Sequence, residues 1–189
     1  MAYVRIIGIT GMPGAGKTTL ASYISGKLGI PTFSMGNVIR EKSIEMGYGL
    51  SKEGQRKVVK ILREQGGKDI VAKLTLEKIE KSKSDLIIID GIRSPTEVDF
   101  FSKNAKMIVL ALHASPKRRF FLLKNRGRED DPKDFNDFKE RDKLELELGI
   151  GSVIATADFM IVNEDISLED LYKQFELLQG KILKAFEQE

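Results

Sequence analysis

The sequence predicts an α/β fold, with three layers (α/β/α) built around a five-stranded parallel sheet. Two observations carry that expectation. Short runs rich in Ile and Val, such as Leu86-Ile87-Ile88-Ile89, are apolar at every position, as strands covered by helices on both faces must be. Between these runs lie longer stretches of helical period, so strands and helices alternate along the chain.

Four strands read clearly, at Tyr3 to Thr10, Asp85 to Asp90, Lys106 to His113 and Asp158 to Val162, and a weaker fifth covers Pro31 to Ser34. A helix over Gly16 to Leu28 follows the first strand. Another over Ser167 to Phe186 carries Leu168, Leu171, Phe175, Leu178 and Ile182 along one stripe, with Ser167 and Asp170 as its capping signal. Two stretches interrupt the alternation. Residues 35–81 hold helical patterns broken at Gly47-Tyr48-Gly49 and Gly66-Gly67, and residues 116–147 are charged, with helical pieces around Arg126-Gly127-Arg128. Both read as insertions over the ligand-binding edge of one domain, whose core is 1–34, 82–115 and 148–189.

The 189 residues suffice for one well-buried core, and 41% hydrophobic with 31% charged residues is a globular balance. No apolar run approaches the ~20 residues that span a bilayer. The start of the chain lacks a signal-peptide pattern, and cysteine is absent. These features fit a cytoplasmic enzyme or ATPase and disfavour a disulfide-bonded secreted domain. A net charge of +3 suits phosphate-rich ligands but is too small to argue for nucleic acid.

The segment Gly11-Met12-Pro13-Gly14-Ala15-Gly16-Lys17-Thr18 matches G-x-x-x-x-G-K-[ST] in full, between a buried strand and a helix, with Thr19 following. Glycines allow backbone N–H groups to curl around phosphate oxygens, and the helix beyond points its positive dipole end at the same anion. Lys17 is placed for the β- and γ-phosphates of ATP and the Thr18 hydroxyl for Mg²⁺. A plain Gly-rich turn with an incidental lysine is the alternative, which the strand-to-helix setting disfavours. Asp90 ends an aliphatic strand at the same edge, where a carboxylate holds magnesium; the other reading is a turn cap beside Gly91.

With Ser34-Met35-Gly36-Asn37-Val38-Ile39-Arg40, Asp90-Gly91-Ile92-Arg93 and the Arg-rich segment 118–141 added, the chain resembles the P-loop nucleoside monophosphate kinases. Within them it looks most like a largely archaeal group of adenylate-kinase-related P-loop proteins. The resemblance implies that 35–81 binds the acceptor and 116–147 forms a lid. It also implies that Arg40 grips the acceptor phosphate, with Ser34, Gly36 and Arg93 in the same acceptor site and Ile70 near the acceptor base. Met35 and Asn37 depart from the family pattern, the turn at Arg93 is one residue shorter, and Glu97 stands where a glutamine reads adenine. A carboxylate accepts from an amino group but cannot donate to a ring nitrogen.

Independently of any family, phosphoryl transfer asks for positioning and for positive charge on the migrating group. Five of the ten arginines, Arg118, Arg119, Arg126, Arg128 and Arg141, fall within 118–141. A lone arginine is ordinarily a surface residue, but this clustering sets Arg126, Arg128 and Arg141 apart as catalytic candidates with Lys17 and Arg93. Asp130 and Asp131 are placed to pair with them. His113, the only histidine, reads as a strand-end polar residue.

The expected function is transfer of the γ-phosphoryl of Mg-ATP to a phosphorylated small acceptor, AMP first. The alternatives are a dephospho-coenzyme A kinase-like reaction on a hydroxyl, or an ATPase acting as an assembly factor of the ribosome-maturation type. A regulatory GTPase lacks support, since no Asn-Lys-x-Asp motif is present.

Overall fold

The computed structural model describes residues 4–129 and 131–187. The chain order is β1 (Arg5–Thr10), α1 (Lys17–Leu28), β2 (Thr32–Ser34), α2 (Met35–Glu45), α3 (Lys52–Gly66), α4 (Ile70–Glu80), β3 (Leu86–Ile92), α5 (Pro95–Asn104), β4 (Lys106–His113), α6 (Pro116–Arg126), α7 (Phe135–Glu147), α8 (Ile150–Ala155), β5 (Phe159–Val162) and α9 (Leu168–Ala185). Among the described residues the strands form one parallel sheet in the order β2-β3-β1-β4-β5. The three-layer α/β fold expected from the strand pattern is therefore present.

Side chains alternate across the sheet and feed two cores. Ile7 and Ile9 of β1, with Ile88, Leu110 and Leu112, meet α1 and α9 through Leu20, Ile24, Leu171 and Phe175. Ile6, Ile87 and Ile89 point the other way and meet α4, α5 and α8 through Ile79, Phe101 and Val153. This two-sided burial explains why the strands read as unbroken apolar runs.

The strand ends differ from expectation in instructive ways. Tyr3 lies outside the described residues. β3 runs past Asp90 to Ile92 through a bulge: Ile9 pairs with Asp90 but Thr10 with Ile92, and the extra residue, Gly91, has φ +100°. The Thr10 hydroxyl donates to the Ile92 carbonyl at 2.8 Å and closes the bulge. β5 starts at Phe159 because the Asp158 carboxylate accepts from the Val109 N–H at 2.7 Å. Pro31 precedes β2, having no N–H for the ladder, yet its carbonyl accepts from Ile88 N–H.

Local signals set the helix ends. Ser167 accepts from Asp170 N–H as the expected N-cap, so α9 begins at Leu168, the first residue of the apolar stripe. The helices of 35–81 stop at Glu45 and Gly66, beside the two glycine-bearing breaks. α5 and α8 lie outside the sequence expectation. α5 opens with a capping box, Ser94 accepting from Glu97 N–H and Glu97 returning to the Ser94 N–H.

Phe175 is fully buried and meets the Tyr23 ring edge-on at 6.4 Å, joining α9 to α1. Phe175→Ala is expected to lower unfolding free energy by ~3–5 kcal/mol through loss of apolar contact and the cavity left behind. Urea denaturation of the two chains measures it.

Candidate functional site

The sheet register brings three functional segments to one edge. Asp90 lies level with Ile9 of β1, just before the P-loop, and with Ser34 at the end of β2. Above this edge sits a cavity of about 1220 Å³.

The P-loop turns on glycines at φ +146° (Gly11), +85° (Gly14) and +101° (Gly16). Those positions are also sterically closed. A Cβ on Gly11 would lie 2.4 Å from the Leu112 carbonyl oxygen, and one on Gly14 would lie 2.6 Å from that of Arg119. The loop's carbonyls are satisfied from within and behind. Lys17 Nζ donates to Gly11 O at 2.6 Å and Met12 O at 3.1 Å. Asn163 Nδ2 donates to Ala15 O at 3.0 Å, and Arg119 Nη1 to Pro13 O at 3.2 Å. Gly11, Pro13, Gly14, Gly16, Lys17, Thr18 and Thr19 line the cavity; Met12 and Ala15, expected with them, do not. Ala15 instead points its methyl into the core, and its N–H closes a turn onto Met12 O.

Burial depresses the Lys17 ammonium from its usual range to about 8. Asp90 and Glu145 oppose that fall, while Arg93 and Arg141 add to it, so all four lie within the lysine's field. The Thr18 hydroxyl donates to Asp90 Oδ2 at 2.8 Å. Asp90 Oδ1 is buried and has no hydrogen-bond partner among the described residues, a costly state for a carboxylate oxygen. Mg²⁺ commonly takes one or two protein oxygens and completes its shell with phosphate and water. Thr18 and Asp90 fit that role.

Eight of the ten arginines line the cavity. Arg40 and Arg93 stand on the β2–β3 side with Arg56 and Arg63 of α3; Arg118, Arg126, Arg128 and Arg141 face them from α6, its following loop and α7. Carboxylate and amide oxygens hold several of these in place. Arg93 Nη1 donates to Glu145 Oε1 at 2.7 Å, and Arg40 Nη1 to Asn37 Oδ1 at 2.6 Å. Asp131 receives Arg126 through two hydrogen bonds and the Arg128 N–H at 2.9 Å, with Arg141 3.5 Å away. Burial would raise the Asp131 carboxyl, but the Arg126 hydrogen bond and its neighbours hold it below the usual range. Asp130 lies outside the described residues.

Other expected site residues divide. Ser34 and Gly36 line the cavity, the Ser34 hydroxyl also capping α2 by accepting from Asn37 N–H at 3.3 Å. Ile70 does not line the cavity: it lies against Gly66, where an added Cβ would come within 2.4 Å of Ile70 Cδ1, and its neighbour Val71 faces the cavity. Glu97 reaches the cavity wall, but its Oε2 accepts from Arg93 N–H at 2.7 Å and Ser94 N–H at 3.1 Å, so the carboxylate serves as a helix cap. The Ser94-Pro95-Thr96-Glu97 run carries that signal in the sequence. His113 is exposed at the end of β4 and is not in the cavity wall.

Sequence reading missed the α3 face. Lys52, Gln55, Arg56, Val59 and Arg63 line the cavity at helical spacing, a stripe visible in the sequence as residues three and four apart. It also left Arg119 among the lid-region arginines. That side chain is buried, bound bidentate to Asp142 at 2.7 and 2.6 Å, and holds the P-loop rather than the cavity.

Fold and site together define a P-loop nucleotide-binding kinase fold. Residues 10–139 match a family model described as an AAA domain. A UPF0200 protein of Hyperthermus butylicus is 39% identical over 181 residues, covering 96% of each chain, and one of Thermococcus onnurineus is 44% identical over 183 residues, covering 94% of this chain and 98% of its own. The chain belongs to this UPF0200 family. In fold it is similar to shikimate kinase from Bacteroides thetaiotaomicron, with TM-score 0.64 and 20% identity over 96% of this chain and 99% of that one. It is likewise similar to TT1252 from Thermus thermophilus, with TM-score 0.68 and 18% identity over 95% and 98%. Among the described residues no helix is long and apolar enough to cross a membrane.

Arg119→Ala is expected to cost ~3–5 kcal/mol, because it leaves Asp142 unpaired in a largely buried setting. Chemical denaturation checks the loss. The same variant should weaken Mg-ATP binding, measured by calorimetry, although Arg119 does not face the cavity.

Proposed function

We propose that this chain is an ATP-dependent phosphotransferase that moves the γ-phosphoryl of Mg-ATP to a nucleoside monophosphate, AMP first. The observation that carries the reading is the convergence of Lys17, Thr18, Asp90 and opposed arginine walls on one cavity of about 1220 Å³. Single small-ligand pockets usually fall within ~300–1,000 Å³, so the space suits a donor and an acceptor together.

In this reading the donor base lies toward Arg118, Leu122, Ile166 and Leu168. The P-loop cradles the β- and γ-phosphates, and Lys17 steadies their charge. Thr18 and Asp90 would hold Mg²⁺, whose chemistry is to neutralise the donor phosphates. Arg40 and Arg93 position the acceptor phosphate, with Ser34 and Gly36 beneath it. One of its oxygens attacks the γ-phosphorus, the bond from that phosphorus to the β-bridging oxygen breaks, and ADP leaves. The attacking group is already an oxyanion, so no general base is needed. Arg93, Arg126, Arg128 and Arg141 meet the charge that builds on the equatorial oxygens. For Arg126 and Arg141 this requires phosphate to replace Asp131 as their partner, the lid closing about the Arg119–Asp142 pair that stays on the P-loop.

The test is an acceptor panel with labelled ATP and Mg²⁺, scoring transfer to AMP, other monophosphates and dephospho-coenzyme A against release of free phosphate. Transfer to a monophosphate is expected; steady hydrolysis with transfer to none of them overturns the reading in favour of an ATPase. Within that assay Lys17→Ala should lower turnover by ~10²-fold or more. Arg40→Ala should raise the acceptor KM roughly tenfold or more, the worth of one charge-assisted contact, while the KM for Mg-ATP stays within about twofold.

A further inference from the structure

The α3 side of the cavity carries more positive charge than one accepting phosphate uses. Arg56 and Arg63 are two helical turns apart on α3 and both line the cavity. Beyond them a side chamber of about 600 Å³ opens between α3, the start of α5 and the corner joining α7 to α8. The two spaces share Arg56, Val59, Arg63, Glu147 and Leu148 as a common wall.

The chamber's charged lining is Arg56, Lys60, Arg63 and Lys68 against Glu64 and Glu147. Lys60 and Glu64 face each other at 3.9 Å with both side chains exposed, a pair of little energetic consequence. Among the described residues neither Arg56 nor Arg63 makes an ion pair, and Arg63 Nε is buried without a hydrogen-bond partner. An unmatched buried guanidinium N–H is unfavourable, and an anion on the guanidinium face satisfies it. The hydroxyl-bearing Ser94 and Thr96 complete the wall, and Ser94 directly follows Arg93 in the chain. Burial raises the Glu97 carboxyl, and Arg93 and Arg63 both work against that rise, so one carboxylate sits in the field of both guanidiniums.

We propose that the acceptor carries two anionic groups. The first is the phosphate that receives the γ-phosphoryl, at Arg40 and Arg93; the second is a phosphate or carboxylate seated in the side chamber against Arg56 and Arg63. The assignment presupposes the phosphotransferase reading for the first group. The second makes and breaks no bond; it selects the acceptor. AMP fills only the first part of such a site.

Two matched pairs of probes test this by calorimetry on the full chain: AMP against adenosine 3′,5′-bisphosphate, and glycerol 3-phosphate against 3-phosphoglycerate. In at least one pair the two-anion member should bind about tenfold tighter or more, and the pair that shows it tells phosphate from carboxylate. In the double variant Arg56→Gln, Arg63→Gln that ratio should fall to about one. Each single variant should give an intermediate ratio, which keeps the test open if the double variant does not fold. Equal affinities within both pairs in the unmodified chain, or a preference that survives the double variant, overturn the proposal. Scoring phosphoryl transfer on the same probes separates the two readings. A two-anion preference without transfer to any acceptor supports the chamber and overturns the kinase reading, whereas transfer without the preference does the reverse.

Discussion

A loop that offers its N–H groups to phosphate has to have its carbonyls satisfied elsewhere, and much of this molecule is arranged around that requirement. Gly11 and Met12 give their carbonyls to Lys17, Pro13 to Arg119, Ala15 to Asn163, and Gly16 to the Leu20 N–H. The donors come from four places: the loop's own lysine, α1, α6 and the residue after β5. Asn163 is itself fixed by its N–H to the His113 carbonyl at 2.7 Å, and Arg119 by Asp142 and the Ala114 carbonyl. The shape of the P-loop is therefore set by β4, β5, α6 and α7 as much as by its glycines. Leu112 and Arg119 also supply the backbone oxygens that leave no room for a Cβ at Gly11 and Gly14.

The same wiring explains how so many cations coexist around one cavity. Lys17 shows the strain directly, its proton affinity depressed by burial and by Arg93 and Arg141. Each of the closest arginines is answered by a carboxylate that is itself removed from solvent. Glu145 takes Arg93, and Asp131 gathers Arg126, Arg141 and the Arg128 backbone. Such a pair keeps a guanidinium oriented, yet is exchangeable, because two oxygens of a tetrahedral phosphate can take the same bidentate bonds with more charge. Glu145 and Asp142 both sit on α7, so the helix that anchors the P-loop through Arg119 also reaches Arg93 at the end of β3. A displacement of α7 is therefore felt both at the P-loop and at Arg93.

Much of the fold was legible because its signals are local. The aliphatic runs, the strand-to-helix setting of Gly11 to Thr18 and the Ser167 cap each follow from a few adjacent residues and one physical rule. Asp90 was legible for the same reason, standing at the end of such a run. What escaped depends on contacts made across the chain. Nothing adjacent to Arg119 distinguishes it from Arg118; only Asp142, 23 residues on, and Pro13, 106 residues back, make it a strut. Glu97 was read through its distance from Arg93, although the serine three residues before it marks a capping box. The α3 stripe was missed because a basic helix ordinarily turns its charges to water, and only the packing of α3 against α2 and α4, at the cavity's edge, decides otherwise.

Those misses bear on how an acceptor is recognised. Met35 is 2% exposed and belongs to the apolar core below the sheet edge, so it offers a ligand no polar contact. Asn37 gives its carbonyl oxygen to Arg40. Glu97 gives an oxygen to two backbone N–H groups. The side chains that depart from the family pattern are thus engaged within the protein, Met35 by the apolar core, Asn37 by Arg40 and Glu97 by backbone N–H groups. The α3 wall presents Lys52, Arg56 and Arg63, of which Lys52 is already paired with Asp137 of α7. Charge, not a pattern of donors and acceptors matched to a base edge, is what this wall has to discriminate with. The P-loop fold does not by itself choose a ligand; in the reading proposed above the disposition of guanidiniums on one helix does, favouring ligands by the number and spacing of their anionic groups.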